Sequence, residues 1–195
     1  MIDQVSFNRF VEEGYRRVPL TRTVLADTET PLSAYLKLAQ GPYSFLFESV
    51  QGGEKWGRYS IIGLPSRRQI RVYGNRMEFW VNGAVAESHE AKDPLAVIAQ
   101  LQAEFNSAQP EGLPTFHGGL VGYFGYDVVR YVEPKLKDSC PPDALGNPDI
   151  LLSLAEEVLV FDNLAGTLTL VINADVSEVM PMRRPLRDWM PSRLS

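Results

Sequence analysis

Phe45-Leu46-Phe47-Glu48-Ser49-Val50-Gln51-Gly52-Gly53-Glu54-Lys55-Trp56-Gly57-Arg58-Tyr59-Ser60-Ile61-Ile62-Gly63 opens as an apolar, strand-like run and delivers a carboxylate and a hydroxyl at its end. It then turns on two glycines and returns as Tyr59-Ser60-Ile61-Ile62. The pattern predicts a turn-linked strand pair with polar groups gathered at one end. In an extended chain the adjacent Glu48 and Ser49 point to opposite faces, unless the glycine turn or a bulge re-aims one of them. Such an end suits a small amphoteric ligand: Glu48 for an ammonium, Ser49 and backbone amides for a carboxylate, and the apolar side chains for a ring. Taken alone, a Glu-Ser pair before a Gly-Gly turn is more often a solvated strand end.

The stretch resembles the hallmark of the N-terminal domain of anthranilate synthase component I, in which a Leu-Leu-Glu-Ser motif lines a tryptophan feedback site. Here Leu46-Phe47-Glu48-Ser49 stands at that motif, with Phe47 in place of the second leucine, a change of bulk and not of polarity. A second, distant stretch agrees. Gly118-Gly119-Leu120-Val121-Gly122-Tyr123-Phe124-Gly125-Tyr126-Asp127 resembles the Gly-Gly-x-x-Gly-Tyr-x-x-Tyr-Asp segment of the same family. Its glycines at 119, 122 and 125 lack the spacing of a dinucleotide fingerprint, and no alternating β/α units surround them. They are read as points of close backbone approach in a buried strand that turns into a short helix at 126–130.

The resemblance covers about residues 18–175. It implies L-tryptophan as a feedback inhibitor, with Glu48 receiving the ammonium, Ser49 hydrogen-bonding the ligand, and Arg58, Tyr59 or Ser60 closing the slot. It implies that the intact protein makes anthranilate from chorismate, with ammonia supplied by a glutamine amidotransferase partner, component II, and with Mg²⁺. The family's metal-binding and acid/base groups belong to a C-terminal chorismate-binding domain with no counterpart in this sequence. No residue is therefore matched to a catalytic or metal-binding role, and the chain alone is expected to be inactive. Two other readings compete: a para-aminobenzoate synthase component I, and a free-standing amino-acid-binding or interaction module.

Composition narrows the field further. The chain has 195 residues, of which 45% are hydrophobic and 22% charged, an ordinary globular balance with enough material for one good-sized core or two small ones. A net charge of −5 and the lack of a Lys/Arg stripe over the first 175 residues argue against nucleic acid. Cys140 is the only cysteine and His89 and His117 the only histidines, which rules out an intrachain disulfide and gives no zinc-ligand spacing. A reducing cytoplasm fits. The N-terminus lacks the features of a signal peptide, and no apolar run reaches transmembrane length.

Along the rest of the chain, Ser6 is expected to cap a short helix with Phe7, Phe10 and Val11 on one face and Gly14 as its stop. Residues 18–25 read as a strand that Pro19 places at a start or an edge. Thr30-Pro31 opens a helix with Leu32, Tyr35, Leu36 and Ala39 inward. Gly74-Asn75 and Asn82-Gly83 separate three β-rich runs into an antiparallel meander. Asp93-Pro94 starts a third helix that should pack across it. Residues 158–161 and 168–172 form an apolar hairpin about Asp162-Asn163-Leu164-Ala165-Gly166. The fold class expected is α+β: antiparallel sheets, half of a sandwich by resemblance, with helices packed outside. The domain expected is 1–175. Residues 176–195 are read as an atypical tail, a truncated or frame-shifted linker, because 179–195 carries three of the five methionines, four arginines, no lysine and prolines at 181, 185 and 191.

Overall fold

Residues 3–48, 57–136, 143 and 145–176 are described by a computed structural model. The expectations for Ser49, the Gly-Gly turn and the tail from 177 on lie outside them. The chain divides into two units. One takes the described residues of 1–66, 103–119 and 155–195, and the other those of 67–102 and 120–154.

In the first unit, helix α1 (Gln4–Glu12) precedes strand β1 (Arg17–Leu25), helix α2 (Pro31–Leu38), β2 (Phe45–Phe47) and β3 (Tyr59–Gly63). The cap of α1 is Asp3 rather than Ser6: the Asp3 carboxylate accepts from the Ser6 backbone N–H at 2.7 Å. A carboxylate before the helix reaches an N–H of the first turn, so Ser6 falls inside the helix. Phe10 and Val11 pack with Val18, Ala108 and Val176. Thr30 and Ser33 form a reciprocal capping box on α2, with Pro31 in the first turn. Ala34, Tyr35 and Ala39 face the core, as expected for the last two, but Leu32 and Leu36 are 54% and 53% exposed. In a helix of eight residues the apolar residues do not select one stripe, and packing rotated these leucines outward.

The sheet of this unit has the order β1-β10-β9-β3-β2, with β9 at Glu157–Asp162 and β10 at Thr167–Asp175. All four of its pairings are antiparallel. The expected hairpin is β9 and β10, and β2 with β3 is the expected strand pair. β9 is central and buried from Val158 to Phe161, which explains its unbroken apolar run. Pro19 lies on the edge strand β1, where its missing N–H leaves no ladder bond unmade. Ala26, Ala34, Ala39, Ile62, Leu159, Phe161 and Leu168 form a core cluster, with Leu46 and Tyr35 against it.

The second unit carries the meander as β4 (Arg68–Tyr73), β5 (Arg76–Val81) and β6 (Ala84–Glu90). Its sheet runs β6-β5-β4-β8-β7, with β7 at Gly119–Phe124 and β8 at Ile150–Ala155. Asn82 and Gly83 both take positive φ, 52° and 81°, as a two-residue hairpin turn requires. Ile70, Val72, Met77, Phe79, Ile150 and Leu152 are buried. Helix α3 (Pro94–Phe105) starts under Asp93, whose carboxylate accepts from Ala96 N at 3.0 Å. Residues 126–128 make a 3₁₀ turn leading into α4 (Val129–Val132), the expected short helix. β7 corrects the reading of a buried strand: it is an edge, and Tyr123 and Phe124 are 43% and 52% exposed. The close approach holds, since a Cβ on Gly122 would lie 1.9 Å from the Leu151 carbonyl oxygen. Glycine spacing reports that approach and is silent on what covers the other side. Two antiparallel sheets with a few helices make the α+β class that the sequence predicts.

Candidate functional site

β2 and β3 are neighbours, with Phe47 opposite Ile61, so their polar ends converge. Glu48 follows directly and is exposed. Alternation along β3 turns Ser60 and Ile62 to the core, and Ser60 is only 2% exposed. Arg58 and Tyr59 stand at the mouth, with the guanidinium 5.0 Å from the Tyr59 ring centroid. The structure thus brings together Glu48, Arg58, Tyr59 and Ser60, and Ser49 lies outside the described residues.

Arg58 and Ser60 are not bare ligand groups. Asp162 Oδ2 accepts from Arg58 Nε at 2.9 Å and from Arg58 Nη2 at 2.6 Å. Asn163 donates from its side chain to Ser60 Oγ at 3.1 Å and to the Gly57 carbonyl at 3.4 Å, and from its backbone to the Arg58 carbonyl at 2.8 Å. The Arg58 hydrogen bonds hold the Asp162 carboxyl below the usual carboxylate range, and in return Asp162 raises Arg58. A guanidinium already shared with a carboxylate is a weaker anchor for an anionic ligand than an open one. Sequence reading missed Asp162 and Asn163, which it took as turn formers only. Their relevance comes from the ladder that sets Tyr59 opposite Asp162, and no local pattern encodes that pairing.

Other polar clusters in the first unit tie the chain together. Asn173 donates to the His117 carbonyl at 2.8 Å and accepts from Ser107 Oγ at 3.0 Å. The His117 ring nitrogens lie 3.1 Å from the Ala108 carbonyl oxygen and 3.3 Å from that of Pro114. Arg17 is nearly buried between Asp175, at 3.4 Å, and Glu156, at 3.9 Å, and stacks on Phe105. In the second unit Asp149 accepts from Gly74 N at 2.7 Å and from the Tyr131 hydroxyl at 3.0 Å, and burial raises the Tyr131 phenol well above its usual range. Among the described residues no three His, Cys, Asp or Glu side chains converge as a metal-ligand group. No helix among them is long and apolar enough to cross a membrane.

Two antiparallel sheets define an α+β chain whose candidate site lies at the adjoining ends of β2 and β3. No family model matches the chain. It is 53% identical over 178 residues to anthranilate synthase component 1 of Pseudomonas aeruginosa, a match that covers 91% of this chain and 36% of that protein. It is 44% identical over 181 residues to the component 1 of Neisseria meningitidis serogroup B, covering 91% and 37%. A crystal structure of anthranilate synthase component I from Streptococcus pneumoniae TIGR4 aligns with a TM-score of 0.47 at 24% identity, covering 85% of this chain and 33% of that one. The chain is a homologue of the N-terminal part of anthranilate synthase component 1, and it spans little more than a third of the length of these curated relatives.

Proposed function

We propose that this chain is the tryptophan-sensing portion of an anthranilate synthase large subunit, the enzyme that converts chorismate and ammonia to anthranilate and pyruvate. One observation carries the reading: β2, which Glu48 follows, pairs with β3, which Arg58 precedes and Tyr59 and Ser60 open, in the stretch that resembles the family's feedback motif. Glu48 receives the ammonium of L-tryptophan, Ser49 hydrogen-bonds the ligand, and the Tyr59 and Arg58 side chains flank the entrance. Ser60 is turned to the core and acts by fixing the strand start. On this reading the acid/base and Mg²⁺-binding groups belong to the part of the relatives that the match leaves uncovered, and a component II amidotransferase supplies the ammonia.

Calorimetric titration with L-tryptophan is the test, on this chain and on a complete large subunit carrying the same substitutions. Glu48→Ala or Ser49→Ala removes a charge-assisted hydrogen bond and should weaken binding by about 1.5–3 kcal/mol, one to two decades in Kd. Unchanged affinity in both variants overturns the assignment. The chain supplied with chorismate, Mg²⁺ and ammonium is expected to form no anthranilate above background by fluorescence, because positioned acid/base chemistry needs several groups in one pocket. Turnover that tracks the purified chain would place a catalytic site on it.

A further inference from the structure

We infer that Asp162 and Asn163, in the turn joining β9 to β10, are positioning residues that lock the 57–60 segment for its ligand. The inference rests on the tryptophan-sensing reading and names residues that need not touch the ligand themselves.

Five hydrogen bonds run from these two residues to Gly57, Arg58 and Ser60: two into Asp162 Oδ2, one from the Asn163 backbone and two from the Asn163 amide. A residue that served only its own hairpin would bond within the turn. Asp162 does that with its other oxygen, since Oδ1 accepts from Leu164 N and Ala165 N, both at 3.1 Å, while Gly166 N closes the turn onto the Asp162 carbonyl at 2.9 Å. Oδ2 is left over from that duty and points across to Arg58. Asn163 makes its side-chain bonds to another strand, so the turn gains nothing from them. The turn is closed by its own hydrogen bonds, and it stands on the central strand of its sheet. It therefore fixes three things at the mouth: the plane of the Arg58 guanidinium over Tyr59, the rotamer of Ser60, and the direction in which the chain leaves the loop.

The test is L-tryptophan calorimetry on the full chain with Asp162→Asn, Asn163→Asp, Arg58→Met and the Asp162→Asn/Arg58→Met pair. Asp162→Asn keeps an oxygen for the turn amides and loses the charge on Arg58. Asn163→Asp keeps the backbone bond and loses both side-chain donors. Each single change should weaken binding by about tenfold, and Asp162→Asn should have no further effect once Arg58 is methionine. A purely structural role would leave the Asp162→Asn effect intact in that background, and this result overturns the inference, as does wild-type affinity in both Asp162→Asn and Asn163→Asp. If neither the unsubstituted chain nor a complete large subunit takes up tryptophan, the sensing reading falls. Backbone amide exchange of residues 57–60 then decides the locking on its own: faster exchange in Asn163→Asp supports it, and equal rates overturn it.

Discussion

Asp162 is a carboxylate with two duties, one oxygen for the turn and one for Arg58, and its ionisation is coupled to folding. Its folded pKa is depressed, chiefly by the Arg58 hydrogen bonds, so its contribution to stability is complete above the ordinary aspartate value of about 4 and is lost as pH falls through the lower folded value. Asp162→Asn is expected to flatten the acid limb of a urea-midpoint profile below about pH 4 and to leave the region near pH 7 parallel to wild type. Tyr131 works in the opposite sense. Burial, then Asp149, raises its phenol, so the stability it brings is complete below about pH 10 and declines above it, a slope that Tyr131→Phe should remove. The placing of Glu48, Arg58, Tyr59 and Ser60 at the adjoining ends of β2 and β3 was legible because they sit in one stretch of sequence. Asp162 and Asn163 were not, because they lie 104 and 103 residues from their partners Arg58 and Ser60.

At the scale of elements, two glycines are fixed by what a Cβ would strike. At Gly63 it would lie 2.0 Å from the Phe45 ring, which packs across the neighbouring strand. At Gly122 it would lie 1.9 Å from a main-chain oxygen. A ring can swing and a ladder cannot. Gly63→Ala should therefore cost about 1–3 kcal/mol and be partly rescued by Phe45→Leu, whereas Gly122→Ala should reach or exceed about 3 kcal/mol with no side-chain rescue, both read from urea unfolding. Thr30→Ala removes one half of the capping box on α2 and should cost about 1 kcal/mol. Caps and turns were the legible features here, since Thr30-Pro31, Asp93 and Asn82-Gly83 each act through neighbours in sequence. Asp3 was missed because Ser6 offered an equally good local cap, and Leu32 and Leu36 because one eight-residue helix cannot report which stripe the tertiary packing will choose.

For the whole molecule, strand order is what the sequence leaves unwritten. The hairpins of consecutive strands are local, but β1 beside β10 and β3 beside β9 are pairings that only the finished sheet defines. Among the described residues β10 joins β1 to the central strand, so a chain ending at 165 should lose cooperative unfolding, whereas one ending at 176 should keep it, with near-ultraviolet circular dichroism as the measure. The β1–β10 ladder also sets a waiting time. Arg17 and Asp175 are 158 residues apart, and a ribosome takes roughly ten to thirty seconds to cover that distance. Throughout it β1 lacks its β10 ladder, and Leu20, Val24 and Leu25 stand beside amides that ladder has yet to satisfy, the usual template for wrong pairing. Covering β1 over that interval is expected to reduce mispairing, because its β10 partner is made so much later.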